Sequence, residues 1–150
     1  MGSRATSRHG LSSQLMSEHQ PPFEYHRDDT HRRLRVIAHR ALRPEDFLAI
    51  SQRQVAEGAW TYGVVYDLRG VGGLTTSPNQ PNLIAEHVRE QTDRHGKRGP
   101  VAVVTPPSNA FGIAKGYAYF ARHQGFLVEA FCDMSEAEEW LSAQQGQGNA

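Results

Sequence analysis

Two short runs of unbroken apolar residues, Val64-Val65-Tyr66 and Val101-Ala102-Val103-Val104, constrain this chain more than any other feature. Turn chemistry follows each of them: a glycine cluster at Gly70, Gly72 and Gly73 after the first, and Pro106-Pro107 after the second. Runs of this length, rich in β-branched residues and closed by such punctuation, read as strands covered on both faces, the situation at the centre of a parallel sheet. Parallel neighbours need long crossovers, normally helical, so an α/β domain is predicted.

The rest of the chain fits that frame. Phe23–Arg27 and Arg32–His39 are β-favouring runs on either side of Asp28-Asp29-Thr30, which predicts a hairpin with Leu34, Val36 and Ala38 on one face. Arg43-Pro44-Glu45-Asp46 opens a helix with proline in its first turn and acids behind it, and Gly58 marks its end. The clearest strand spans Tyr62–Leu68. A second helix begins between Ser77 and Pro81, carries Leu83, Ile84 and Val88 on one face and stops at Gly96. Ser108 is placed to cap a third helix, with the stripe Phe111, Ile113, Ala114, Tyr117, Ala118, Phe120 and Ala121, which Gly125 terminates. Phe126–Cys132 is the last strand. Ser135 and Glu138 have the spacing of a capping box for a closing helix that buries Trp140 and Leu141. The prediction is one small domain: a mainly parallel sheet of about five strands, an antiparallel N-terminal edge strand and four helices.

At the ends, residues 1–20 lack any helical or strand period and are expected to be a disordered leader, with Met16 a second candidate start; residues 144–150 read as a polar tail. The domain is therefore expected over residues 21–143. Lys plus Arg and Asp plus Glu balance at 16 each, against the basic excess of a general nucleic-acid binder. The single cysteine, Cys132, cannot form an intramolecular disulfide or a multi-cysteine metal site, and reads as a buried small hydrophobe. No apolar run is long enough to span a membrane and the polar N-terminus has no secretory pattern, so a cytoplasmic protein is expected.

Three stretches together resemble the SpoIIAA-like, or STAS-like, superfamily: Val64-Val65-Tyr66-Asp67-Leu68-Arg69-Gly70-Val71, Pro100–Val104, and Phe126–Leu141 with its Phe131-Cys132-Asp133, Glu136-Ala137 and Trp140-Leu141. The resemblance covers residues 23–142 and implies a small α/β domain in which strand-helix units follow an N-terminal edge strand. It also implies a non-enzymatic regulatory or protein-interaction role. Members that antagonise anti-sigma factors carry a phosphorylatable Asp-Ser-x-Gly motif at the start of the helix after the Asp-Leu strand. Leu74-Thr75-Thr76-Ser77-Pro78 occupies that neighbourhood, without the aspartate or the glycine, so the phosphorylation switch is not expected at Ser77.

The chemistry-bearing residues gather where parallel strands end. Asp67 and Arg69 stand at the carboxyl end of a central strand, the place where open α/β sheets bind ligands. Gly70, Gly72, Gly73, Thr75, Thr76 and Ser77 form the loop that follows, and Ser108 and Asn109 open a helix on the same edge. Backbone N–H groups and helix N-termini there suit an anion. Each residue also has a structural reading: Asp67 capping its loop, Ser108 as an N-cap, the glycines serving a turn that needs positive φ. No P-loop, dinucleotide fingerprint or Gly-x-Ser-x-Gly is present. The histidines lack metal spacing, and His87, among Leu83, Ile84 and Val88, reads as a satisfied boundary histidine, so no metal or cofactor is expected. Arg32, Arg33, Arg35, Arg40 and Arg43 concentrate positive charge, with Arg33, Arg35 and His39 on one strand face; a solvated face with the arginines paired to Glu24, Asp28 or Asp29 is expected, and a docking patch for an acidic partner is the alternative. Tyr119 falls on the polar side of its helix with Lys115, Arg122 and His123, a composition enriched at protein contacts. The expected partner is another protein; a small anionic or lipid-like ligand at the carboxyl edge is the alternative, and a homodimer is compatible with either.

Overall fold

A computed structural model of the chain describes residues 21–71 and 80–148, and every structural statement below concerns those residues. Five strands, β1 (Phe23–Asp28), β2 (Arg33–Ala38), β3 (Gly63–Asp67), β4 (Val101–Val104) and β5 (Val128–Phe131), form one sheet in the order β1-β2-β3-β4-β5. β1 and β2 are antiparallel and the remaining pairs are parallel, as the hairpin and the apolar runs predict. The helices are α1 (Pro44–Ala56), α2 (Gln80–His95), α3 (Asn109–His123) and α4 (Met134–Gly148).

Local chemistry explains most of the boundaries. Asp46 accepts a hydrogen bond from the Arg43 amide at 2.7 Å and closes the first turn of α1 behind Pro44. Ser108 caps α3 by accepting from the Ala110 amide at 3.2 Å. Gly125, the second residue after α3, has φ of +88°, a left-handed conformation that glycine adopts without strain and that ends the helix. At α4 the cap is Asp133 rather than Ser135: its Oδ1 accepts from the Ser135 and Glu136 amides at 2.7 and 3.3 Å. An aspartate two residues earlier wins because its carboxylate reaches two free N–H groups at once.

The alternation of each strand divides the core in two. Leu34, Val36, Val64, Tyr66, Val101, Val103 and Val128 face α1–α3, where Ile50, Ala114 and Ala118 are buried against them. Val65, Ala102 and Val104 point the other way, onto Ala137 and Leu141 of α4. Leu141 is fully buried, whereas Trp140 is only half-buried and leans on Phe131 with ring centroids 5.7 Å apart. The expectation of a buried Trp140 fails because β5 is an edge strand and, among the described residues, no further strand lies beyond it to enclose the indole. Leu83 also departs from its expected apolar face: it is 52% exposed, while Ala85 and Val88 carry the burial of α2. α4 continues through residues expected to form the polar tail, because Gln145 is useful there: its Nε2 donates to the Arg32 carbonyl at 2.7 Å and its Oε1 accepts from Arg33 at 2.8 Å. Among the described residues no helix is long and apolar enough to cross a membrane.

Gly99 shows how tightly the amino end of the sheet is built. A Cβ at this position would lie 2.2 Å from the Tyr62 carbonyl oxygen, and the Gly99 amide donates to the Trp60 carbonyl at 3.2 Å. Trp60, buried beside it, donates from its indole to the Gly96 carbonyl at 2.8 Å.

Candidate functional site

The carboxyl edge places Asp67 and Arg69 as expected, and then joins them to each other. Asp67 is the last residue of β3, and the chain turns at once into a short 3-10 segment, Arg69–Val71. This turn swings the Arg69 guanidinium back over the strand end. Nε donates to Oδ1 and Nη2 to Oδ2 of Asp67, both at 2.9 Å, and the Arg69 amide adds a third bond to Oδ1 at 3.2 Å. The Asp67 side chain is only 13% exposed, so this is a largely desolvated carboxylate held by a fork of matching geometry. The hydrogen bonds from Arg69 hold the Asp67 carboxyl below the usual carboxylate range, against the opposing effect of burial, and Asp67 in turn raises the Arg69 guanidinium. The loop-capping reading of Asp67 and the cationic reading of Arg69 thus describe one structural pair.

Around that pair the edge is an open depression of about 510 Å³, bordered by Ile37, His39, Asp67, Arg69, Gly70 and Val71. Gly70 lies in the 3-10 turn without positive φ, and a Cβ there would meet nothing within 4 Å, so neither a strained turn nor a close approach requires this glycine. Gly72, Gly73, Thr75, Thr76 and Ser77 lie outside the described residues. Ser108 and Asn109 are exposed at the start of α3, with the Ser108 hydroxyl occupied as the cap. Tyr119 is not part of this edge: eleven residues along α3, it lies roughly 16 Å towards the opposite end of the sheet. It is 60% exposed, and its ring meets His123 edge-on with centroids 4.5 Å apart.

The arginine face of β2 finds partners other than those expected. Glu24 meets His39, at 2.8 Å, while Arg33 donates to Ser142 and Gln145 and Arg35 to Glu138, all on α4. These contacts moor the closing helix to the strand, a structural use of cations over a separation of a hundred residues. A groove of about 540 Å³ remains between α4 and the hairpin, lined by His26, Arg35, Ile37 and Glu138 among others. A second polar depression, about 470 Å³, lies at the amino end of the sheet with Arg32, Lys97 and Arg98 on its border. Sequence reasoning missed it; the only local signal is the Lys97-Arg98 pair following Gly96, since Arg32 comes from a distant turn.

His87 sits as its boundary reading expects. His87 Nε2 is 2.9 Å from the Ser51 hydroxyl, and burial first and Arg98 second lower its pKa, as suits a neutral boundary histidine. Among the described residues no three His, Cys, Asp or Glu side chains group as metal ligands. Cys132 is half-buried rather than buried. The apolar cavity between α2, α3 and the sheet measures about 50 Å³ and is lined by Phe47, Val88, Tyr117, Phe120 and Arg98. The Arg98 guanidinium lies 5.3 Å from the Trp60 ring, and its Nε has no hydrogen-bond partner among the described residues.

No family model matches the chain, and no curated protein matches it. Among solved structures, the chain is similar to an uncharacterized protein of the DUF3478 family from Shewanella loihica PV-4, described as having a SpoIIAA-like fold. The identity is 18%, the TM-score 0.50, and the match covers 79% of this chain and 91% of that one. The fold is SpoIIAA-like, as the resemblance of the three sequence stretches implies.

Proposed function

We propose that this chain is a non-enzymatic cytoplasmic domain that acts by binding another protein. The observation that carries this reading is Tyr119, 60% exposed and set against His123, with Lys115 and Arg122 on neighbouring turns. An aromatic held in place by its own helix loses little conformational freedom on binding, which is why such residues anchor contacts. The carboxyl edge supports the same reading from the other direction. There Asp67 and Arg69 are spent on each other, so neither stands free to act as a catalytic acid or base.

A second reading, an amphipathic anionic ligand, is favoured by Arg98, which has no carboxylate partner among the described residues and borders the apolar cavity. At about 50 Å³ that cavity is far below the roughly 300 Å³ at which small-molecule sites begin, so a ligand would have to open it. Native mass spectrometry of the full chain from its own host separates the two. A complex with a second, different protein is the expected result. A small-molecule adduct that Arg98→Ala abolishes would replace the interaction reading with the ligand reading.

A further inference from the structure

The two edges of the sheet are treated differently. On β5 part of the outward backbone is engaged by its own neighbourhood: Arg122 donates to the Val128 carbonyl at 3.4 Å, and Glu129 accepts from the Ala130 amide at 3.0 Å. On β1 no such cover exists among the described residues. The Pro22 carbonyl accepts from the His39 amide, which fixes the phase of the ladder: Glu24, His26 and Asp28 turn their backbone groups towards β2, and Phe23, Tyr25 and Arg27 turn theirs outward. Unpaired edges of this kind recruit further strands.

We infer that β1 pairs antiparallel with β1 of a second copy of this chain, with Tyr25 opposite Tyr25 on the two-fold axis, so that the two sheets become continuous. The register follows from the residues. An outward residue must meet an outward residue, so the short antiparallel self-pairings that use most of the strand centre on Glu24, Tyr25 or His26. Centring on Glu24 sets Glu24 against Glu24. Centring on His26 sets His26 against His26 and Glu24 against Asp28. Only the Tyr25 centre sets Glu24 against His26 on both sides of the axis, in the pair type whose side chains approach most closely. On the other face it brings Phe23 opposite Arg27, a ring against a guanidinium. Phe23-Arg27, Tyr25-Tyr25 and Arg27-Phe23 each exchange two backbone hydrogen bonds, so the ladder uses every outward group from Phe23 to Arg27. Such an isologous arrangement closes on itself and leaves no new edge. This dimer is independent of the Tyr119 surface, which lies on α3.

Sedimentation velocity of the full chain over a wide concentration range reads the association, and Tyr25→Pro tests the edge. Proline removes an outward N–H while leaving the β1–β2 ladder intact, and should weaken self-association by roughly tenfold or more. Cysteine pairs in a Cys132→Ser background read the register without relying on that variant's folding. Residues 24 and 26 of opposing copies should have Cα atoms about 4.5 Å apart, within disulfide range. An equimolar mixture of Glu24→Cys and His26→Cys chains should therefore form a disulfide dimer, and either chain alone should not. A monomer at all concentrations overturns the inference. So does cross-linking of Glu24→Cys or His26→Cys alone, which would mean another register, or a dimer that Tyr25→Pro leaves unchanged, which would place the interface elsewhere.

Discussion

Arg69 grips both carboxylate oxygens of Asp67, two residues before it, at 2.9 Å each. A site that looks like a free anion receptor in the sequence is in the structure an internal ion pair that closes the end of β3. An incoming anion would have to displace a carboxylate already matched in geometry and mostly out of water.

The pair makes a prediction about pH. Asp67 titrates below its unfolded value of about 3.9 because Arg69 binds its charged form, so its contribution to stability is complete at neutral pH. It is lost as pH falls below about 4 and through the lower folded value. Arg69→Ala should cost about 1 kcal/mol at pH 7, modest because the guanidinium faces solvent. Urea unfolding at pH 7 and pH 3 should show that difference shrinking towards zero in acid; an unchanged difference would mean that Arg69 stabilises by packing alone.

Leu141 and Trp140 should rank in the order opposite to their size. Leu141 is fully buried on Val65, Ala102 and Val104, so Leu141→Ala should cost about 2–5 kcal/mol. Trp140→Ala, removing a half-buried ring, should cost less. Equilibrium unfolding of the two variants side by side decides it, and a larger loss at Trp140 would mean that α4 is rotated on the sheet.

Gly99→Ala should be among the most damaging single-methyl changes in the chain. The new Cβ would lie 2.2 Å from the Tyr62 carbonyl oxygen, a backbone atom that no rotamer change can move aside, so the backbone must shift. A loss of roughly 3 kcal/mol or more is expected, at the upper end of overpacking costs. Gly70→Ala, with open space around the new methyl, is the matched control and should change stability by less than about 0.5 kcal/mol.

These contrasts also show what the sequence makes legible. The central strands were readable because Val64–Tyr66 and Val101–Val104 are apolar on both faces, and helix ends because Pro44, Ser108 and Gly125 act locally. The identity of the α4 cap was not, since Asp133 and Ser135 both carry capping chemistry and only the backbone path decides between them. The partners of Arg33 and Arg35 lie on α4, out of reach of any local rule, and the partial exposure of Trp140 depends on β5 being an edge. At the candidate site, position pointed correctly to Asp67 and Arg69 sharing the carboxyl edge. Their mutual pairing depends on the 3-10 turn, which no spacing announces.

Tyr119→Ala should leave the fold intact. Tyr119 is 60% exposed and its ring meets His123 edge-on, so stability should change by less than about 0.5 kcal/mol in thermal or chemical unfolding. A large loss would show that Tyr119 packs structurally and is not available to a partner.

The most direct measurement is site-specific photo-cross-linking of the full chain in its own host, with the photoreactive side chain replacing Tyr119 in one variant and Glu139, exposed on α4 across the sheet, in another. The account predicts one discrete adduct to a different protein from position 119 and none from position 139. No adduct from position 119, or the same adducts from both positions, would contradict it.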